Sequence, residues 1–257
     1  MPVKNKDTKD KEEILMSVSF AAEQFLKLNY GKNSVKKVLQ SLGTAVKVSR
    51  VYIFQNYEDE NDEVFTSQQF VWADKSKKAV LENKGLQNFY FEANGFERWV
   101  DLLKNGDALH GLVRDFPDSE RETLQRQKIQ SILVVPIHVH NYWWGFIGFD
   151  ECCYARTWNE PEISALMAAA NILGAAIYRK EVEIELLRLN NELETRINMR
   201  TQDLQSEIYE KSQVEQMLRE SEEKYRQIFE NANDGILLSV NGIIRFINPK
   251  LYEMTGF

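Results

Sequence analysis

Two adjacent thiols, Cys152 and Cys153, are the most reactive side chains in the sequence. A cysteine acts as a nucleophile or redox centre when a neighbouring cation or helix N-terminus lowers its pKa. Neither cysteine has a neighbouring His or Lys or a Cys-x-x-Cys partner, so the sequence favours thiols that pack at a strand end over a redox enzyme. Adjacent cysteines do not easily bridge each other, which fits a reducing compartment.

Two histidines, His138 and His140, could together bind a metal ion, because alternate residues of a strand share a face. No Cys or carboxylate accompanies them at ligand spacing, so a solvent-facing hairpin end is the favoured interpretation. The acidic stretch at residues 58–63 lacks the glycine and closing glutamate of a calcium loop and is predicted to be a hairpin loop. The sequence predicts no catalytic residue, no metal site and no covalently bound cofactor.

Aromatic residues provide the strongest candidates for a binding site. A small-molecule pocket is typically apolar with a few convergent polar groups, which His110 and Arg114 could supply. Strand alternation separates Trp144 and Phe146 from Trp143 and Ile147 without saying which pair faces a pocket. The alternative is an ordinary aromatic core that binds nothing. The candidate ligand-binding residues are Phe54, Phe70, Trp72, Phe89, Tyr90, Trp99, His110, Arg114, Trp144 and Phe146.

Composition narrows the class of protein. The 257 residues carry a formal net charge of −7 with interspersed signs, so there is no basic stripe for nucleic acid. No apolar run approaches eighteen residues and the N-terminus is charged, so we expect a cytoplasmic protein without direct membrane insertion. The hydrophobic content of 43% suits a globular core.

The hydrophobic pattern predicts an α+β fold, a central antiparallel sheet flanked by helices. After a polar tail at residues 1–11, two amphipathic helices precede strands at 50–57 and 64–73. A loop-like stretch at 74–94, a short helix at 96–103, a strand at 108–113 and a helix capped by Asp118 follow. The strongest hairpin signal pairs residues 132–140 with 142–151.

A very long helix is predicted after this hairpin, since residues 161–229 contain no second proline and only one glycine, Gly174. Asn159 offers an N-cap and Pro161 suits the first turn. Beyond Tyr178 the apolar residues narrow to one seam, which predicts a parallel two-stranded coiled coil over residues 179–222 and therefore a homodimer. The regular spacing of the apolar residues along this seam shifts at Leu193. The seam is also interrupted by three polar residues, Arg200, Glu207 and Lys211. The seam residues are Leu186, Leu189, Leu193, Ile197, Leu204, Val214, Leu218 and Tyr225.

Several of these segments together resemble a GAF domain over residues 12–178. The resemblance rests on SRVYIF at 49–54, on SILVVPI at 131–137 followed by WWGFIGFD at 143–150, and on Trp158 leading into the long helix. Further on, SEEKYRQIFENA at 221–232, DGIL at 234–237, INP at 247–249 and MTGF at 254–257 are similar to the opening of a PAS domain. We therefore expect the start of a truncated PAS domain at 223–257.

The resemblance implies sensing and dimeric signalling, with any ligand pocket between the sheet and the connecting helices. Some GAF relatives attach a bilin or use redox cysteines, but bilin-binding relatives usually place their cysteine beside a histidine in a different segment. We therefore expect a sensory module that acts on an output domain outside this sequence, most simply a histidine kinase. A diguanylate cyclase output, a ligand-free dimerisation scaffold and a cysteine-based redox enzyme are the alternatives.

Overall fold

The computed structural model describes residues 3–26, 31–60, 63–74 and 86–256. The chain divides into two compact units, Met1–Ile184 and Glu185–Phe257. The last helix of the first unit continues into the second, and each unit is described separately below.

The first unit is built on a six-stranded antiparallel sheet in the order β3-β2-β1-β6-β5-β4, which confirms the predicted fold class. Both predicted hairpins are present. The strands are β1 (Arg50–Glu58), β2 (Val64–Ala73), β3 (Phe89–Tyr90), β4 (Leu109–Leu112), β5 (Ser131–Val139) and β6 (Tyr142–Glu151). Of the predicted hairpin loop at 58–63, Asn61 and Asp62 lie outside the described residues.

One face of this sheet is covered by α1 (Val3–Leu26), α2 (Lys32–Ala45) and the start of α5 (Glu160–Glu230). Their apolar stripes meet strand residues such as Val51, Ile53 and Leu133, which are 2% exposed or less. Helix α1 begins at Val3, so residues 3–11 of the predicted polar tail belong to this helix, and residues 1 and 2 lie outside the described part.

The opposite face is covered by α3 (Glu97–Lys104) and α4 (Asp118–Arg126). The predicted cap Asp118 is instead the first helical residue, and no side chain caps this helix. Within the predicted loop at 74–94, the described part contains β3 and a short 3-10 helix, Glu92–Asn94, while residues 75–85 lie outside the described part.

Helix α5 begins as the sequence predicted. The Asn159 side chain accepts a hydrogen bond from the backbone N–H of Glu162 at 3.0 Å, and the Glu162 carboxylate accepts one from the backbone N–H of Asn159 at 3.2 Å. This reciprocal pair is a capping box, which satisfies two N–H groups at the helix start.

The apolar first part of α5 packs on the sheet. Its buried side chains run from Ile163 to Ala176 and include small residues, and at Gly174 a Cβ atom would overlap the carbonyl oxygen of His138. By length and composition α5 contains one 18-residue window that could cross a membrane, of which 39% is buried in the protein. Packing against the sheet accounts for the buried part of this window.

In the second unit, α5 is followed by β7 (Leu237–Val240), β8 (Ile243–Ile247) and α6 (Pro249–Thr255). Asn248 is fully buried and organises this segment, because its side chain accepts from the backbone N–H groups of Leu251 and Ile236 and donates to the carbonyl of Asp234. The predicted strand at 235–238 therefore starts later, at Leu237, because the polar groups of Ile236 bond to Asn248 instead.

The close approach at Gly174 gives a first prediction. Gly174→Ala should destabilise the first unit by about 1–3 kcal/mol, since the new methyl group can be accommodated only by moving α5 away from β5. Thermal unfolding followed by circular dichroism would measure this. Gly31→Ser is the control, because a Cβ there meets no atom within 4 Å and serine is well suited to this position, the N-cap of α2. Equal melting temperatures for the two variants would contradict the prediction.

Candidate functional site

A cavity lies between the sheet and helices α3 and α4. Strands β1, β2 and β6 form its floor, and its volume is about 60 Å³. Aromatic rings dominate its wall. The lining residues are Arg50, Tyr52, Phe54, Thr66, Gln68, Leu86, Phe89, Phe91, Phe96, Trp99, Thr123, Leu124, Gln127, Ile129 and Phe146.

Four of the candidate ligand-binding residues meet at this cavity: Phe54, Phe89, Trp99 and Phe146. The rings of Phe54 and Phe146 stack at 5.0 Å across β1 and β6, and the Trp99 ring meets Phe146 edge-on at 6.3 Å. The indole N–H of Trp99 donates to the buried Glu120 carboxylate at 2.9 Å, which fixes the ring on α3. These rings form a preorganised apolar wall.

The other six candidates do not line the cavity. Phe70, Trp72 and Trp144 pack with α1, α2 and α5 on the opposite face of the sheet. Tyr90 on the edge strand β3 stacks on Phe65 of β2 at 4.8 Å and donates a hydrogen bond to Glu92. His110 on the edge strand β4 is exposed, and the Arg114 side chain, 71% exposed, lies 3.7 Å from Asp115. The two predicted polar groups are therefore outside the cavity.

A β-bulge explains the position of Trp144. Ile137 pairs with Gly145, but the next pair joins His138 to Trp143, so Trp144 has no partner across the hairpin. Trp143 therefore packs on the cavity side with Phe146, and Trp144 on the other side. Strict alternation of side chains along the strand placed Trp144 on the same face of the sheet as Phe146. This prediction was wrong, because the extra residue of the bulge reverses the face to which the following side chains point.

Buried polar groups that the sequence analysis missed lie at one end of the cavity. The Arg50 guanidinium donates to Asp150 from Nε at 2.8 Å and to the Gln127 side chain from Nη2 at 3.0 Å. The Tyr52 hydroxyl donates to the other oxygen of Asp150 at 3.0 Å. Arg50 and Asp150 face each other across β1 and β6 and are 5% and 0% exposed. The sequence signal that could have identified this ion pair was an arginine at the start of one predicted strand and an aspartate at the end of another.

Two glycines in β6 make room for this arrangement. A Cβ on Gly148 would overlap the ring of Tyr52, which must cross this position for its hydroxyl to reach Asp150. A Cβ on Gly145 would overlap the carbonyl oxygen of Phe54 in β1. Glycine is therefore required at positions 145 and 148, where β1 pairs closely with β6.

Burial governs the ionisation of these groups. Burial raises the pKa of the Asp150 carboxyl, and the Arg50 charge with the hydrogen bonds from Arg50 and Tyr52 acts in the opposite direction. The pKa of Tyr52 is raised well above its ordinary value, first by burial and then by the Asp150 charge. Tyr52 therefore remains a neutral hydrogen-bond donor, and the Arg50 charge is compensated within the protein.

The cysteines and histidines lie elsewhere. Cys152 is half-buried and Cys153 is exposed just after β6. His138 places Nε2 3.1 Å from the carbonyl oxygen of Lys104, whereas His140 lies in the hairpin turn and stacks on Tyr178 at 5.2 Å. The two histidines therefore do not share a strand face, contrary to the sequence interpretation. Among the described residues, no group of three or more His, Cys, Asp or Glu could hold a metal ion.

In the second unit, the predicted seam residues form an exposed apolar row along α5. Their exposed fractions lie between 43% for Leu204 and 71% for Tyr225.

Comparison with known proteins identifies the families that this chain resembles. The sequence pattern of the GAF domain matches residues 33–177, and that of a PAS domain matches residues 223–257. The chain is 39% identical over 188 residues to the methanogenesis regulatory histidine kinase FilI of Methanothrix harundinacea, covering 73% of this chain. It is 35% identical over 81 residues, 32% of this chain, to the circadian input-output histidine kinase CikA of Thermosynechococcus vestitus. The matches span 21% and 11% of the lengths of these two kinases.

Solved structures share the fold of the first unit. A far-red-absorbing domain with bound biliverdin is 18% identical, with a TM-score of 0.52 over 64% of this chain and 99% of its own. The phycocyanobilin-bound GAF domain of a cyanobacterial phytochrome is 17% identical, with the same TM-score over 67% of this chain and 96% of its own. At these identities the likeness concerns the fold alone.

The environment of Cys152 gives a second prediction. Burial, followed by the Asp150 charge, raises the pKa of this thiol from 9.0 to about 11. At pH 8 the thiolate fraction should be roughly 100-fold lower than for an unperturbed thiol, because two pKa units separate the values. Mass spectrometry of iodoacetamide labelling in a Cys153→Ser variant would measure the rate. The urea-unfolded variant is the control, and equal rates in both states would contradict the prediction.

Proposed function

Because this chain belongs to the GAF domain family and continues into PAS domain sequence, we propose that it is the sensory region of a signal-transduction histidine kinase. Both matched families are regulatory rather than catalytic. In this proposal the chain therefore detects the signal, and a separate kinase domain carries out the reaction. The two kinases it resembles support a kinase output. We place the module in the cytoplasm, where such domains are typically soluble.

The observation that carries the sensing role is the aromatic cavity against β6. A ligand there would touch Phe146, and the same strand ends at Glu151, nine residues before the start of α5. The cavity wall and the exit helix are therefore close along the chain. Binding that shifts β6 relative to α3 and α4 would bias the position of α5.

The size and polarity of the cavity define a ligand class. Its 60 Å³ is four to six times the 10–15 Å³ that a single water needs, which is on the order of one small ring. Arg50 is compensated by Asp150, so the wall favours an uncharged molecule that hydrogen-bonds to Gln68, Gln127 or Thr123. An extended bilin is larger than this space, and the raised pKa of Cys152 disfavours covalent attachment there. We therefore propose a non-covalent, single-ring ligand.

Signal transmission would use a parallel dimer of α5. The exposed apolar row from Leu186 to Tyr225 would be buried by the same row of a second copy. Arg200, Glu207 and Lys211 fall in this row and would weaken the middle of the coiled coil. A weakly paired middle allows two arrangements of similar free energy, which is what a switch requires. A dimerisation scaffold without a ligand is the second candidate, and the exposed row alone would suffice for it.

A third prediction concerns ligand retention. Native mass spectrometry of protein purified from cells should show a bound molecule of single-ring size. Thr123→Phe should reduce its occupancy at least tenfold, because a phenyl group at this lining position fills the cavity, while Thr123→Ser leaves the space open, keeps the hydroxyl and should retain the ligand. Ligand-free wild-type protein would favour the scaffold.

A fourth prediction concerns assembly. Light scattering should give the mass of a dimer, and Leu204→Glu should weaken association at least tenfold by placing a charge in the apolar seam. Gln202→Glu introduces the same charge two residues away, off the seam, and should leave the dimer intact. A monomeric wild-type protein, or equal weakening by both variants, would disprove the seam.

A further inference from the structure

Trp143 lies beside the aromatic cavity, at the end of β6 that contacts α5. Its ring packs with the cavity-side cluster and meets the ring of Phe91 at 5.8 Å, with the two ring planes tilted by 41°. Phe91 is 2% exposed and lines the cavity, whereas Trp143 does not line it. Trp143 therefore contacts from outside a ring that an occupant of the cavity would touch from inside.

The indole N–H of Trp143 has no hydrogen-bond partner. Its Nε1 atom is shielded from solvent, although the side chain as a whole is only half-buried. Trp99, by contrast, donates its indole N–H to Glu120 at 2.9 Å. A buried polar group without a partner raises the free energy of the position that holds it. The observed position of the Trp143 ring, called the inner position below, is therefore less stable than it would be with a paired N–H.

Space for a second position of this ring lies next to it. A cleft of about 510 Å³ at this end of the sheet is lined by Trp143 together with Asn56, His138 and Tyr142. In this outer position the indole N–H would be hydrated, and the contact with Phe91 would be lost. Burial of the ring favours the inner position and hydration of the N–H favours the outer one, so the two terms oppose each other as a two-state element requires.

The strand end that carries Trp143 also holds α5. The hydroxyl of the preceding residue, Tyr142, donates to both carboxylate oxygens of Glu181 on α5, at 3.0 and 3.2 Å. This strand end is held loosely within the sheet, because β1 pairs with β6 only from Gly145 onwards and the bulge leaves Trp144 without a partner in β5. Its position therefore depends more on side-chain contacts than that of the rest of β6.

We propose that Trp143 is the moving contact through which occupancy of the aromatic cavity reaches α5, a step that rests on the sensing role proposed above. An occupant packs against Phe91 and holds it on Trp143, so the inner position gains stability and Tyr142 remains bonded to Glu181. An empty cavity leaves Phe91 unsupported on that side, and the outer position becomes more populated. The strand end then moves with the ring and loosens the hold of Tyr142 on α5.

Indole hydrogen exchange tests the mobility of the ring. The full chain, labelled with ¹⁵N at its five tryptophans, is unfolded in urea and refolded to remove any bound molecule. The two resonances are assigned by their loss in Trp143→Phe and Trp99→Phe. We expect the Trp143 N–H to exchange at least tenfold faster than the Trp99 N–H, because movement to the outer position exposes it to solvent. Equal rates would overturn the proposal.

Filling the cavity tests the connection to α5 without any ligand. In the refolded protein, Thr123→Phe should slow backbone hydrogen exchange of residues 175–184 at least threefold, because the added ring supports Phe91. Thr123→Ser leaves the space open and should not slow it. Tyr142→Phe removes only the hydroxyl that bonds to Glu181 and should abolish the response to Thr123→Phe. No response to Thr123→Phe, or an equal response with and without Tyr142→Phe, overturns the proposal.

A matched pair of variants tests Trp143 itself and does not depend on the folding of the cavity variant. Trp143→Phe keeps a ring beside Phe91 and removes the unpaired N–H, so it should favour the inner position and slow exchange of residues 175–184 at least threefold. Trp158→Phe makes the same change at a ring whose N–H is also buried and unpaired, but which stacks on Arg156 outside the cavity wall, and should not slow it. Unchanged or faster exchange in Trp143→Phe overturns the proposal.

These outcomes are separate from ligand retention, because none of the variants is measured with a ligand. If purified wild-type protein carries a bound molecule but Thr123→Phe gives no response in α5, this route is rejected and the sensing role remains. If α5 responds as expected but purified wild-type protein carries no molecule, the route is supported and the ligand proposed above is rejected.

Discussion

The buried ion pair between Arg50 and Asp150 is the interaction on which the first unit most depends. It joins the first strand of the sheet to the strand that leads to the exit helix, and both side chains are almost completely shielded from water. Leaving one charge of such a pair without its partner costs about 3–5 kcal/mol, a large part of the stability of a domain. The pair also fixes Tyr52 and Gln127, so the polar end of the aromatic cavity has a defined geometry.

The sequence predicted the elements that depend on local patterns. Alternating apolar residues located both hairpins, and the Asn159 cap with the absence of helix breakers located the start and length of α5. The GAF and PAS resemblance was confirmed by the family matches, because it rested on segments whose order and spacing both held. These features are encoded within a few residues of one another and need no knowledge of tertiary contacts.

The cavity was predicted less well because its lining depends on which strand face meets which helix. Phe54 and Phe146 were identified, but the bulge at Trp144 reversed the faces beyond Gly145 and could not be seen in the alternation. His110 and Arg114 were chosen as polar residues near the predicted pocket, yet His110 on the edge strand β4 and Arg114 in the short 3-10 helix after it are both exposed. Arg50 was overlooked because its pairing with Asp150 joins residues a hundred positions apart.

The contact between Gly174 and His138 also limits how the exit helix can move. A screw movement of α5 by one residue, about 1.5 Å of translation with about 100° of rotation, would bring the side chain of Leu173 or Ala175 to the place where even a single methyl group does not fit. The same overlap opposes rotation of the helix about its own axis. Gly174 therefore acts mechanically as a pivot: α5 can tilt about this point more easily than it can turn like a screw. A small tilt at Gly174 would displace each later residue of α5 in proportion to its distance from Gly174.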